Sequence, residues 1–170
     1  MTKDYSERVK RLRAEVAALG RNPDDYRYDL NAQNAYRIEH TKLGSYAYML
    51  VNDKAHGKEA RVDLKYFYEK RCYSYRWIRL SSDPKKDYPH TNIPDGTGKL
   101  FNLYLHALIM GTESGLVIDH NDGDHYNASR SNLNHVTIAQ NNQNRHSTVK
   151  SHKVYSKSAP MQTHYVSLFA

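Results

Sequence analysis

Val117-Ile118-Asp119-His120-Asn121-Asp122-Gly123, followed by Ser131-Asn132-Leu133, Val136-Thr137 and Gln140-Asn141-Asn142, is the stretch that decides how this chain is read. Leu116-Val117-Ile118 reads as a short strand ending at Asp119-His120, and Asp122-Gly123 is a strong turn dipeptide. Asn132-Leu133 begins a return strand through Val136 and Thr137, and Ala139 to Asn144 begins a helix. The expected order is strand, loop, strand, helix. Neighbours on an extended segment point to opposite sides, so Asp119 and His120 should face different partners. A histidine titrates near neutrality and can take a proton from water. Carboxylate and amide oxygens are the donors that a hard cation such as Mg²⁺ prefers. An Asp beside a His, with Asn141 closing from a helix, can therefore build a one-metal site for phosphodiester hydrolysis.

Upstream, Leu103 to Met110 is apolar and reads as a short helix, and Gly111 and Gly115 frame a turn. Residues 81–99 are rich in Pro, Asp, Lys and Gly and read as a loop. Ser45 to Val51 reads as a strand, Asn52 to Glu59 as a polar turn, and Arg61 to Tyr68 and Tyr73 to Leu80 as two further strands. Residues 21–45 have no clear period. Val9, Leu12, Val16 and Leu19 repeat at helical spacing and Gly20 follows as a stop, which predicts an amphipathic helix. No internal repeat or low-complexity tract is visible.

Composition sets the partner class. The chain has 170 residues and a net charge of +7, with a pI near 9.4 and a mean hydropathy of -0.86. That length fits one domain with a small appendage. The charge favours an anionic partner, nucleic acid first. After Asp124 there is no Asp or Glu, while Arg130, Arg145, Lys150, Lys153 and Lys157 lie there. Of these, Arg130, Arg145, Lys150 and Lys153 are candidate DNA contacts. Cys72 is the only cysteine, which excludes an intramolecular disulfide and a Cys-based zinc knuckle. No apolar signal region opens the chain and no stretch approaches membrane-spanning length, so a cytoplasmic protein without a membrane role is expected. The 15 tyrosines suit a small sheet packed through its rings, and less readily a DNA-reading surface.

Residues 117–144 resemble the HNH endonuclease motif in the form found in phage and intron homing endonucleases. That form runs roughly V-D-H-x-D-G, N-x-x-x-x-N-L, V-T, then N-x-x-N. Leu105-His106-Ala107-Leu108-Ile109 resembles the L-H-R-L-V stretch that usually precedes it. The resemblance covers residues 100–147 and nothing earlier. It implies a ββα-metal nuclease unit over residues 100–147; with the helix and strands read upstream, the expectation is an α+β protein with an N-terminal helix and β-rich region over residues 1–99 and a basic tail over 148–170. By position it implies that His120 is the general base and that Asp119 and Asn141 hold one Mg²⁺ (or Mn²⁺). It makes Asn132 the buttress of the hairpin, and His106 and Asn144 supporting residues or phosphate contacts. The implied partner is double-stranded DNA in a bacterial host or phage-infected cell, and monomer and homodimer both stay open. Asn141 stands where many relatives carry a final His, a form found in the homing branch. Ala107 replaces the usual Arg, and Ala128 follows Asn127 in place of a second Asn.

Other uses of these residues fit less well. As an EF-hand, Gly123 falls one place early and Arg130 stands where the bidentate Glu belongs. His120, His125 and His135 lack the spacing of a closed zinc site. A non-catalytic DNA-binding protein on the same scaffold, and an RNA-binding or RNA-cleaving protein, are the alternative functions.

Overall fold

A computed structural model describes residues 3–51, 57–79 and 87–146. It is an α+β arrangement of helices and three small antiparallel sheets. Helix α1 (Lys3–Ala18) is the amphipathic helix expected from its apolar spacing. Leu12 and Val16 are fully buried against Tyr26, Tyr28, Ala35 and Leu50. Gly20, at φ 70, receives the chain as it leaves the helix, a left-handed position that costs glycine little.

The first sheet comprises β1 (Tyr36–Thr41), β2 (Gly44–Leu50) and β3 (Glu59–Asp63), in that order. β2 is the strand expected at Ser45–Val51. β1 falls in the stretch with no clear period, because only Tyr36 and Ile38 mark its inner face. Arg61 to Tyr68, expected as one strand, instead splits after Asp63 into β3 and helix α2 (Leu64–Glu69). Phe67 lies three residues from Leu64, the spacing that puts both on one helical face toward the core, and an exposed Lys65–Glu69 pair spans the other side. Tyr73 to Leu80 is also not a continuous strand. A 3-10 turn occupies Cys72–Ser74, and β4 is only Ile78–Arg79. The reason is the buried Asn34: its side chain receives the Trp77 N–H at 2.8 Å and donates to the Trp77 carbonyl at 2.9 Å. A side chain thus takes the bonds a neighbouring strand would have used.

The second sheet orders β4, β5 (Pro89–Pro94) and β6 (Leu100–Tyr104). Strand β5 lies inside the segment expected to be a loop. Its prolines sit at its first and last positions, where a missing N–H does least harm. Helix α3 (Leu105–Met110) follows β6 directly, as its apolar run predicts. The third sheet is the hairpin β7 (Val117–His120) and β8 (Leu133–Val136), and helix α4 (Ile138–His146) completes the expected strand, loop, strand, helix order.

A core cluster distinct from that around α1 joins the two halves of the chain. Trp77, Phe67, Tyr36 and Met49 from the first half pack with Leu105, Ile109, Tyr126 and Leu133 from the second. The division expected between residues 99 and 100 therefore runs through the β5–β6 hairpin and across a shared core. Tyr26, Tyr28, Tyr36, Tyr46 and Tyr126 are buried, which gives these tyrosines the packing role. No helix among the described residues is long and apolar enough to cross a membrane.

Candidate active site

The β7–β8 hairpin sets the geometry. Its register pairs Val117 with Val136, Ile118 with His135, Asp119 with Asn134 and His120 with Leu133. Asp119 and His120 end the strand and project to opposite sides, as alternation requires. Asp119, 9% exposed, turns toward α4, where Asn144 donates its amide to Oδ2 at 2.8 Å. His120, 3% exposed, turns instead toward a group of rings.

Helix α4 is started by its own sequence. Thr137 and Gln140 form a capping box: the Gln140 side-chain oxygen accepts the Thr137 N–H at 2.9 Å, and the Thr137 hydroxyl oxygen accepts the Gln140 N–H at 3.2 Å. This fixes where the helix begins and so which face meets β7. Asn141 precedes Asn144 by three residues, so both lie on one helical face. The bond from Asn144 to Asp119 then brings Asn141 to the Asp119 side of the hairpin.

Asn132 ties the loop between the strands. Its Oδ1 accepts the Asp122 N–H at 3.0 Å, while its Nδ2 donates to Asp122 Oδ1 and to the Asn127 carbonyl, both at 2.9 Å. Asn127 donates to the other Asp122 oxygen at 2.6 Å. Burial works against the charge on Asp122, but the Asn127 amide, the Asp124 N–H and the Asn132 amide outweigh it and hold the carboxyl below its usual range. The loop is also stitched to the first sheet. The Arg61 N–H donates to the Tyr126 carbonyl, the Ala128 N–H donates to the Arg61 carbonyl, and Asp63 accepts the Arg130 N–H at 2.7 Å.

The surroundings of His120 were not legible as a group. His106 meets its ring edge-on at 5.2 Å between centroids, and His125 lies at 5.5 Å. Tyr88 stacks on His125 at 3.9 Å and lies 6.1 Å from His120, while Tyr104 stacks on His106 at 5.4 Å. Behind them the buried Asp87 receives Tyr126 Oη at 2.7 Å and pairs with Lys58 and Arg79, and its carbonyl is 3.2 Å from His125 Nδ1. A sequence signal existed only for His106 and His125, as histidines near the motif. Tyr88 and Asp87 arrive from a segment read as loop.

Burial pushes the His106 imidazole down to about 4, helped by the neighbouring His125. Its Nδ1 is buried without a hydrogen-bond partner among the described residues. Burial also lowers His125 and His90. The consequence for stability has a definite sign. Between the usual histidine value near 6.5 and about 4 the unfolded chain binds protons that the native His106 refuses, so acid favours unfolding. Stability is full above pH 6.5 and falls as pH drops toward 4, with His106 contributing at most about 3 kcal/mol. Urea midpoints at pH 7.5, 6 and 5 test this. His106→Phe keeps a ring and should flatten the decline, and an equal decline in that variant would refute the assignment.

The other expected contacts divide. Asn144, expected among the DNA contacts, is instead 2% exposed and spent on Asp119. His106 is half-buried, with its ring against those of Tyr104 and His120. Arg130 is half-buried, with its guanidinium 3.5 Å from the Leu133 carbonyl. The Arg145 side chain, Lys150 and Lys153 lie outside the described residues. His135 is drawn away from His120 and His125, to the Gly111 carbonyl at 3.0 Å and Glu113 at 3.5 Å. Among the described residues no three His, Cys, Asp or Glu side chains gather as a metal cluster. No family model matches this chain, and no curated protein or solved structure matches it.

Proposed function

We propose that this chain is a metal-dependent endonuclease of double-stranded DNA, built on the ββα-metal plan of the HNH family. The observation that carries the reading is the divergence of Asp119 and His120 at the end of β7, with Asn132 clamping the loop beside them and α4 delivering Asn141 to the Asp119 side. The net charge of +7 supports a polyanionic substrate.

The donor set fits a hard cation. Asn144 engages Asp119 Oδ2, which leaves Oδ1 and the Asn141 amide oxygen as two oxygen ligands, with water and phosphate to fill the rest. When bound, Mg²⁺ or Mn²⁺ supplies positive charge to the phosphate and the departing 3′ oxygen. The chain's own residues do the remaining work. His120 takes a proton from water, and the water oxygen forms the new bond to phosphorus. The bond to the 3′ oxygen breaks, giving a 5′-phosphate and, after protonation by solvent, a 3′-hydroxyl. Asn144 holds the Asp119 carboxylate in place, and Asn132 holds the strand ends that carry both reacting groups. A single site cuts one strand per encounter.

Incubation of supercoiled plasmid with the protein and Mg²⁺ or Mn²⁺ should yield nicked circles first, and EDTA should stop the reaction. A second reading, DNA binding without cleavage, is favoured by the low exposure of both His120 and Asp119. Tight, salt-sensitive binding with no cutting in either metal selects that reading and overturns the nuclease. Stronger competition by double-stranded RNA than by DNA would reassign the substrate.

A further inference from the structure

The β5–β6 hairpin is a two-stranded ribbon with one end in the candidate site and the other in solvent. Its register pairs His90 with Tyr104, Asn92 with Asn102 and Pro94 with Leu100. Directly opposed residues share a face, as do alternate residues along each strand, so these six form a single stripe. At the inner end, His90 and Tyr104 are 6.3 Å apart between ring centroids. Tyr104 stacks on His106, which meets His120. Beyond that pair, residues 94–102 are exposed throughout. Leu100 is 66% exposed and, on the opposite face, Phe101 is 40% exposed. The tip is nonetheless ordered by its own bonds: Asp95 Oδ1 accepts the N–H groups of Thr97 and Lys99 and the Thr97 hydroxyl. That carboxylate is thereby occupied within the turn.

A firmly built ribbon carrying two large exposed apolar residues and a pair of opposed amides is a surface made for a partner. We infer that this ribbon enters the major groove of the DNA beside the scissile phosphate and reads A·T pairs through Asn92, Asn102 and Leu100. The inference deepens the nuclease reading and rests on it. The major groove, about 12 Å wide, admits a two-stranded ribbon. An Asn amide matches the N6 and N7 edge of adenine, and an apolar side chain matches the thymine methyl. The placement argues for DNA because the stripe is continuous with the rings around His120. From Tyr104 to Leu100 the strand advances about 13 Å, and the Tyr104–His106 and His106–His120 rings are 5.4 and 5.2 Å apart, so the read positions lie within about seven base pairs of the cut.

The experiment compares the full-length protein with the double variant Asn92→Ala/Asn102→Ala and with Leu100→Ser. All three sites are exposed, so the fold is retained, and far-ultraviolet circular dichroism checks this. Plasmid DNA is cut in Mg²⁺ and the ends are sequenced. The wild-type ends should share an A·T preference within about seven base pairs of the cut, and the variants should lose about 10-fold or more of that discrimination. In EDTA, duplexes carrying 7-deazaadenine or deoxyuridine should bind wild type more weakly than natural duplexes; Asn92→Ala/Asn102→Ala should lose the 7-deazaadenine discrimination and Leu100→Ser the deoxyuridine discrimination. If wild type cuts but the variants keep its end pattern, the ribbon inference falls and the nuclease reading stands. If wild type cuts nothing, the nuclease reading falls. The EDTA comparison then decides the ribbon alone: lost discrimination in the variants supports it, and equal discrimination overturns it. A change of oligomeric state in Leu100→Ser with an unaltered end pattern makes the ribbon a contact between copies and overturns the inference.

Discussion

His120→Ala is expected to nick supercoiled plasmid about 10²–10⁴-fold more slowly than the unaltered chain in Mg²⁺, the usual range for losing a positioned general base. The ring lies among His106, His125 and Tyr88. His120→Gln fills most of the same space and should be equally slow, which separates lost chemistry from a lost ring. Asp119→Ala removes the candidate ligand carboxylate and the bond it accepts from Asn144, so its loss should be as large. Asp119→Asn removes only the charge, and its signature should be a raised Mg²⁺ requirement. Cleavage by His120→Gln and Asp119→Ala at the wild-type rate would remove both residues from the mechanism.

Asn132→Asp is expected to cost about 3–5 kcal/mol of stability and to abolish cleavage at 37 °C. The change is nearly isosteric, so the loss is electrostatic. The wild-type amide donates to Asp122 Oδ1 and to the Asn127 carbonyl, and a carboxylate there would set two acceptors against a third. Each buried polar group left unpaired costs about 1–3 kcal/mol, and the two carboxylates add repulsion that weakens as pH falls. Asn132→Ala loses the same bonds without that repulsion, so it should be destabilised by less, and its deficit should not shrink in acid as the Asp variant's does. Urea denaturation at pH 7.5 and 5 measures both. An Asp variant as stable as wild type would show that the clamp does not hold the loop.

The candidate site was legible where its bonds are short-range. Asp119, His120, Asn132 and Asn141 lie within one strand-loop-strand-helix unit. Their spacing states the local wiring, because Asn132 ties residues only five and ten positions away. Thr137 and Gln140 mark the start of α4 in the same local way. What was not legible depends on distant partners. Asp87 and Tyr88 reach the site from a segment whose Pro and Lys content suggests only a loop, and β5 is a strand because β6 pairs with it. Tyr73 to Leu80 alternates like a strand, but Asn34, about 40 residues away, takes its backbone groups instead. Asn144 looked like a surface contact until the register of α4 placed it against Asp119.

The stitching of the 121–130 loop to Arg61 and Asp63 also governs how the molecule is assembled. These contacts close chain separations of more than 60 residues and run parallel to β3, so the earlier sheet supplies the backbone partners of the loop. Such high contact order slows folding. A fragment beginning near residue 100 would carry every motif residue yet lack the surface on which its loop is moulded. The candidate-site segment thus depends on the earlier sheet, and grafting it onto another scaffold requires carrying β3 with it.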